Sequence, residues 1–153
     1  MIIDRKALQK TAFALYGVLM IWLLFGQRVE WFEAGDYFEQ IKQNISLVPF
    51  ATIRIFIRNL AESENTDVIR HAIINLAGNV IMFVPLGFFI PAVSEKFRAF
   101  WRTLAVSFLC IVTVEILQLF LLLGSCDTDD LILNIIGVTV GYLIFKIIWG
   151  KKK

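Results

Sequence analysis

The sequence predicts an all-α, polytopic membrane protein. It reads as a bundle of four transmembrane helices, with an amphipathic interfacial helix in the long first connection. Three observations carry this. Apolar residues make up 58% of the 153 and charged residues 18%, against about 45–50% and about 25% in soluble domains. Four apolar stretches, at about 8–25, 72–93, 99–123 and 131–149, are each long enough to cross a hydrocarbon core of about 30 Å. The second contains Pro85 and Pro91, which membrane helices tolerate because neighbouring helices satisfy the freed backbone groups. Mean hydropathy is +0.73 at 17.5 kDa, and a soluble chain of that size keeps about a third of its surface exposed. A soluble globular enzyme and a disordered chain are therefore set aside, and residues 1–153 read as one transmembrane domain.

The first run follows Arg5, Lys6 and Lys10, as in a secretory signal. No small-x-small cleavage site follows it at Gly26-Gln27-Arg28-Val29-Glu30, so it reads as an uncleaved anchor. The connection 28–71 carries five basic and seven acidic residues. Its first part, 30–43, is polar with Trp31, Phe32, Tyr37 and Phe38. Residues 50–60 then put Phe50, Ile53, Ile57 and Leu60 on one face and Arg54 and Arg58 on another, with Pro49 near the start. Such a helix is too short and too basic to span. It is expected in the outer headgroup plane, its arginines reaching lipid phosphates. Trp22, Trp101 and Trp149 lie near run ends, where an interfacial aromatic belt belongs.

Basic residues orient the bundle. They cluster at the N-terminus, at Lys96, Arg98 and Arg102, and at Lys146 and 151–153, whereas the turn 124–130 has none. The positive-inside rule puts both termini and the 94–102 connection in the cytoplasm, and residues 28–71 and 124–130 outside. A net charge of +2 without a basic patch gives no nucleic-acid face. Cys110 and Cys126 are too far apart along a helix to bridge. With one His, no zinc site is available.

Polar residues at membrane depth are costly and call for an explanation. Glu115 and Gln118 share a face at i, i+3, and Asn75 and Asn79 share one at i, i+4. Asn134 follows Asp130 by four, and Gly137-x-x-x-Gly141 lets a neighbouring helix approach closely. Counted from their outer ends, Glu115 lies about 12 Å deep, Asn75 about 5 Å, Asn79 about 10 Å and Asn134 about 6 Å. Three helices can therefore present one outward polar pocket, with Asp127, Asp129 and Asp130 at its mouth. The bland alternative is ordinary interhelical hydrogen bonding by the amides. His71 reads as interfacial, Cys110 as packing, and Cys126 as an exposed thiol with no activating neighbour.

The segments Asn75-Leu-Ala-Gly-Asn79-Val-Ile-Met-Phe83-Val-Pro85-Leu-Gly87, Glu115-Ile-Leu-Gln118 and Asp127-x-x-Asp130-x-x-x-Asn134-x-x-Gly137 occur in this order. Together they resemble the VanZ-like membrane protein family over about residues 10–148. Asn44-Ile-Ser-Leu-Val-Pro49-Phe50 is similar to that family's entry to a short helix. The resemblance implies a bacterial plasma-membrane protein associated with low-level resistance to lipoglycopeptide antibiotics such as teicoplanin. It gives structural roles to Pro49, Pro85, Gly87, Gly137 and Gly141. One departure stands out: many relatives carry a basic residue before the first aspartate, where this chain has Ser125-Cys126.

Three functions are weighed. In the first, Asn75, Asn79, Glu115, Gln118, Asp127, Asp130 and Asn134 line a pocket for a membrane lipid, a lipid-linked cell-wall precursor or a lipoglycopeptide. In the second, Glu115, Asp127 and Asp130 hold Mg²⁺ or Ca²⁺, and Glu115 is the catalytic acid or base of an enzyme acting on a lipid-linked phosphate. The third is a proton or ion pathway, opposed by the apolar inner halves of all four runs.

Overall fold

The computed structural model describes residues 4–26 and 37–150. Trp31, Phe32, residues 27–30 of the expected uncleaved junction and the basic residues 151–153 lie outside the described residues. Four helices are long and apolar enough to cross a membrane: α1 (Arg5–Phe25), α4 (Thr66–Val93), α5 (Phe100–Phe120) and α6 (Thr128–Trp149). Between α1 and α4 come α2 (Tyr37–Gln43), the two-residue strand β1 (Ile45–Ser46) and α3 (Ala51–Glu62). A second short strand, β2 (Cys126–Asp127), leads directly into α6.

Capping sets the helix starts, and it moves two of them away from the apolar boundaries. Asn65 caps α4, its side chain accepting from the Asp67 N–H at 2.9 Å, so this helix begins six residues before the expected 72. Asp127 caps α6 in the same way, accepting from the Asp129 N–H at 2.9 Å, so α6 starts at Thr128 rather than 131. Hydropathy marks only the lipid-facing part of a helix, whereas side-chain acceptors at the N-cap decide where it begins. At the other boundary α5 stops at Phe120, three residues short of 123. The chain turns there through Leu122, which holds a positive φ of 53°.

α4 stays helical through Pro85 and Pro91. Tyr16 on α1 donates to the Met82 carbonyl at 2.8 Å, supplying a partner in the turn before Pro85, where the proline weakens the ladder.

Helices α4 and α6 form the tightest pair. A Cβ at Gly87 would overlap the Val138 carbonyl, one at Gly137 the Val80 carbonyl, and one at Gly141 the Val84 carbonyl. The backbones therefore touch along several turns, the small-residue packing that lipid-embedded helices use. α5 joins them through one stripe at intervals of four, Thr103, Ser107, Ile111, Glu115 and Leu119, all buried. α1 lies against α4 with Met20 as its one buried residue, and Met20, Phe83, Ile111 and Val138 form the apolar core.

The two ends of the bundle differ. One gathers the start of α1, the turn after α4 and the end of α6: Arg5, Lys6, Ala92, Arg98, Phe145 and Trp149 surround one cleft. Tyr142 also donates to the Arg98 carbonyl there at 2.9 Å. The other end carries α2, α3 and the paired strands. β1 runs parallel to β2, with Ile45 opposite Cys126 and Ser46 opposite Asp127. Tyr37 on α2 donates to the Phe120 carbonyl at 2.8 Å. α3 packs on α4, where Phe56 meets His71 at 5.7 Å between ring centroids.

Candidate functional site

A cavity of about 290 Å³ opens among α1, α4, α5 and α6 near the strand-bearing end. Six polar side chains from the helices line it: Asn75 and Asn79 from α4, Glu115 and Gln118 from α5, and Asp130 and Asn134 from α6. Helical spacing puts each pair on a cavity-facing side. Leu23, Leu24, Met82, Phe83 and Val114 form apolar wall, and Gly124 and Ser125 of the turn before α6 close part of the rim.

Two amide donors are already taken. Asn79 Nδ2 donates to Asp130 Oδ1, and Gln118 Nε2 donates to the Leu24 carbonyl at 3.1 Å, tying α5 to the end of α1. Several acceptors are not taken. Asn75 Oδ1 and Asn134 Oδ1 are buried without a hydrogen-bond partner, and Asn134 is only 2% exposed. Glu115 is buried and, among the described residues, has neither a hydrogen bond nor an ion pair. Unsatisfied buried acceptors are uncommon and costly, so a cavity they line is one prepared for a donor.

Asp127 and Asp129 depart from the expected mouth of the pocket. Asp127 is 7% exposed and Asp129 fully buried, and neither lines the cavity. Both turn towards α3. Thr52 Oγ1 donates to Asp127 Oδ2 at 2.6 Å. The Phe50 N–H donates to Asp129 Oδ1 and the Ile53 N–H to Asp129 Oδ2 at 2.9 Å. Phe50 is the N-cap of α3, and its own side chain makes no cap. One carboxylate from α6 thus plays both halves of a capping box for another helix. It also holds Phe50 at a φ of 64°, a conformation that costs a non-glycine residue about 1–3 kcal/mol. The sequence reading places Asp129 at the pocket mouth and does not single out Thr52. Local spacing gives no sign of an acceptor 76 positions along the chain from the donor it serves.

The other singled-out residues fall outside the cavity. The His71 ring lies tilted against Phe56, Arg58 pairs with Glu62 at 2.7 Å, and Cys110 is exposed. Among the described residues, no three His, Cys, Asp or Glu side chains come together as a metal site requires. Glu115, Asp127 and Asp130 therefore do not form the metal-holding trio considered above, because Asp127 is engaged by Thr52 and by the α6 cap.

Cys126 sits in β2 beside the rim. Burial, then the carboxylates of Glu115 and Asp127, push its thiol up from the usual range. A raised value leaves less thiolate at any given pH. Maleimide labelling of Cys126 is therefore expected to be slow at pH 7.5 and to keep rising beyond about pH 8.5, where an ordinary thiol levels off. Glu115→Gln should speed it. A labelling rate that plateaus at the ordinary pH would contradict this environment.

The family described as VanZ/LLP1 matches residues 13–149. No curated protein matches the chain, and no solved structure does.

Proposed function

This chain belongs to the VanZ-like family of membrane proteins, and from that premise we propose that it is a ligand-binding protein of the bacterial cell envelope, giving low-level protection against lipoglycopeptide antibiotics such as teicoplanin. The observation that carries the reading is the cavity itself. Six polar side chains from three helices line one space of about 290 Å³ in a bundle of apolar helices, and buried acceptors within it lack partners. Polar groups at membrane depth are costly without a role. The ligand of this reading is lipid-linked or lipidated, taken from the membrane.

The charge distribution supports an orientation. Arg5, Lys6, Lys10, Lys96, Arg98, Arg102 and Lys146 all belong to one end of the bundle, whereas the cavity opens near the acidic turn at the other. By the positive-inside rule the termini are cytoplasmic and the cavity faces outward, towards wall precursors and antibiotic. In this reading α3, with Ile55 and Ile57 more than half exposed, rests in the outer headgroup layer beside the cavity.

The test is teicoplanin susceptibility in a Gram-positive host carrying empty vector, wild type or Glu115→Gln at matched membrane levels. Wild type is expected to raise the inhibitory concentration severalfold, and Glu115→Gln to return it to the vector value. Equal protection by both chains would sink the role of the cavity, and no protection by wild type would sink the resistance reading.

A further inference from the structure

A second space of about 300 Å³, almost wholly apolar, lies between α1, α4 and α5. It shares Leu24, Phe83 and Val114 with the polar cavity, so the two adjoin across these three side chains. Along α1 it extends from Leu24 to Phe13, about 16 Å at helical rise, enough for most of a single acyl chain. Ala14 and Cys110 on its rim are exposed, so the groove is open along its side. A polar chamber beside an apolar groove suits an amphiphile, head in one and chain in the other.

The chemistry of the chamber selects the head. Among the described residues its lining includes the carboxyl groups of Glu115 and Asp130 and no Lys, Arg or His. The amide donors of Asn79 and Gln118 are spent on Asp130 and on the Leu24 carbonyl. The oxygens of Asn75 and Asn134 remain unpartnered, and Asn134 is almost fully buried. The chamber therefore combines two carboxyl groups with unmet amide oxygens, and its remaining donors, the amide groups of Asn75 and Asn134 and the Ser125 hydroxyl, are uncharged. A phosphate head would meet carboxylates and carbonyl oxygens, with no cation to compensate it. An ammonium group brings one positive charge and three donors, matching what the chamber leaves unmet.

We propose that the chamber and the groove form one site for a membrane amphiphile with a single seated chain and a head bearing a protonated amine. This rests on the reading of the cavity as a ligand pocket and specifies its ligand class.

The test uses the full chain in neutral maltoside micelles, with native mass spectrometry counting bound molecules. The probes are dodecylamine, dodecyl phosphate, dodecyl glucoside and ethylamine. Dodecylamine is expected to bind one per chain, at least tenfold tighter than the other three. Glu115→Gln and Asp130→Asn should each weaken it at least tenfold with melting temperatures kept within a few degrees. Ala14→Trp, which fills the groove from its exposed rim, should weaken dodecylamine to the level of ethylamine. Tighter binding of the phosphate or the glucoside, or displacement of the amine by micromolar Mg²⁺ or Ca²⁺, would overturn the amine assignment and leave the pocket standing. Failure of every probe to bind saturably would overturn both.

Discussion

Asp129→Ala is expected to free the N-terminus of α3 and to lower stability more than any other single change at the strand-bearing end. The carboxylate is fully buried and accepts from the N–H groups of Phe50 and Ile53. Alanine leaves both donors unmet in a site that the side chain had filled. Hydrogen bonds to a charged group contribute about 1.5–3 kcal/mol each, so the loss should be about 3–5 kcal/mol. Phe50 also loses the contact that holds its left-handed backbone. Thermal unfolding in detergent should show the loss, and limited proteolysis should show new cleavage around residues 44–53. Asp129→Asn keeps one acceptor oxygen and should fall between. Asp67→Ala is the control, because that side chain is 82% exposed and its bridge to Arg70 contributes at most about 1 kcal/mol. Equal effects at positions 129 and 67 would show that α3 is not held through Asp129.

Gly141→Ala is expected to be nearly as damaging, through the opposite fault. The new methyl would overlap the Val84 carbonyl of α4 and crowd the Phe88 backbone nitrogen. Neither atom is the far end of a flexible side chain, so two helices must separate. Overpacking of this kind costs about 1–3 kcal/mol, occasionally more. Here the displaced pair also carries Asn79, Asp130 and Asn134 into the cavity, so ligand binding should weaken together with stability. Gly78→Ala separates the geometry from the loss of glycine itself. Nothing lies within 4 Å of a Cβ at that position, and the change should be neutral or gain up to about 1 kcal/mol in helix propensity. If both alanines lower the melting temperature equally, close approach at Gly141 is not what stabilises the bundle.

The sequence was most informative where one physical rule acts along a single helix. Apolar length exposed all four spans, and the spacing Gly137-x-x-x-Gly141 announced the close helix pair. The i, i+3 and i, i+4 spacings of Asn75, Asn79, Glu115 and Gln118 put each pair on one face, and the structure brings these faces to one space. It was least informative where partners are distant. The donors of Phe50 and Ile53 find Asp129 across about half the chain. Ser46 meets Asp127 in a strand pair too short to show any alternation. Asp127 and Asp130, three residues apart, look alike in sequence, yet the first serves α3 and the second the cavity. A turn of α6 decides that, since residues three apart project about 60° from one another. The apolar face expected on α3 also divides. Ile53 is partly buried, whereas Phe50, Ile57 and Leu60 are 54%, 56% and 38% exposed.

The long reach of Asp129 bears on the order in which the protein can be made. During synthesis α3 emerges well before the residue that caps it, and α4 and α5 lie between them. At about 5–20 residues per second, the 76 positions from Ile53 to Asp129 take roughly 4–15 s. Throughout that interval the first turn of α3 has no acceptor from α6, and β1 has no strand to pair with. The segment carrying β1 and α3 can therefore settle only when α6 arrives, so its docking reports that the fourth span has been made.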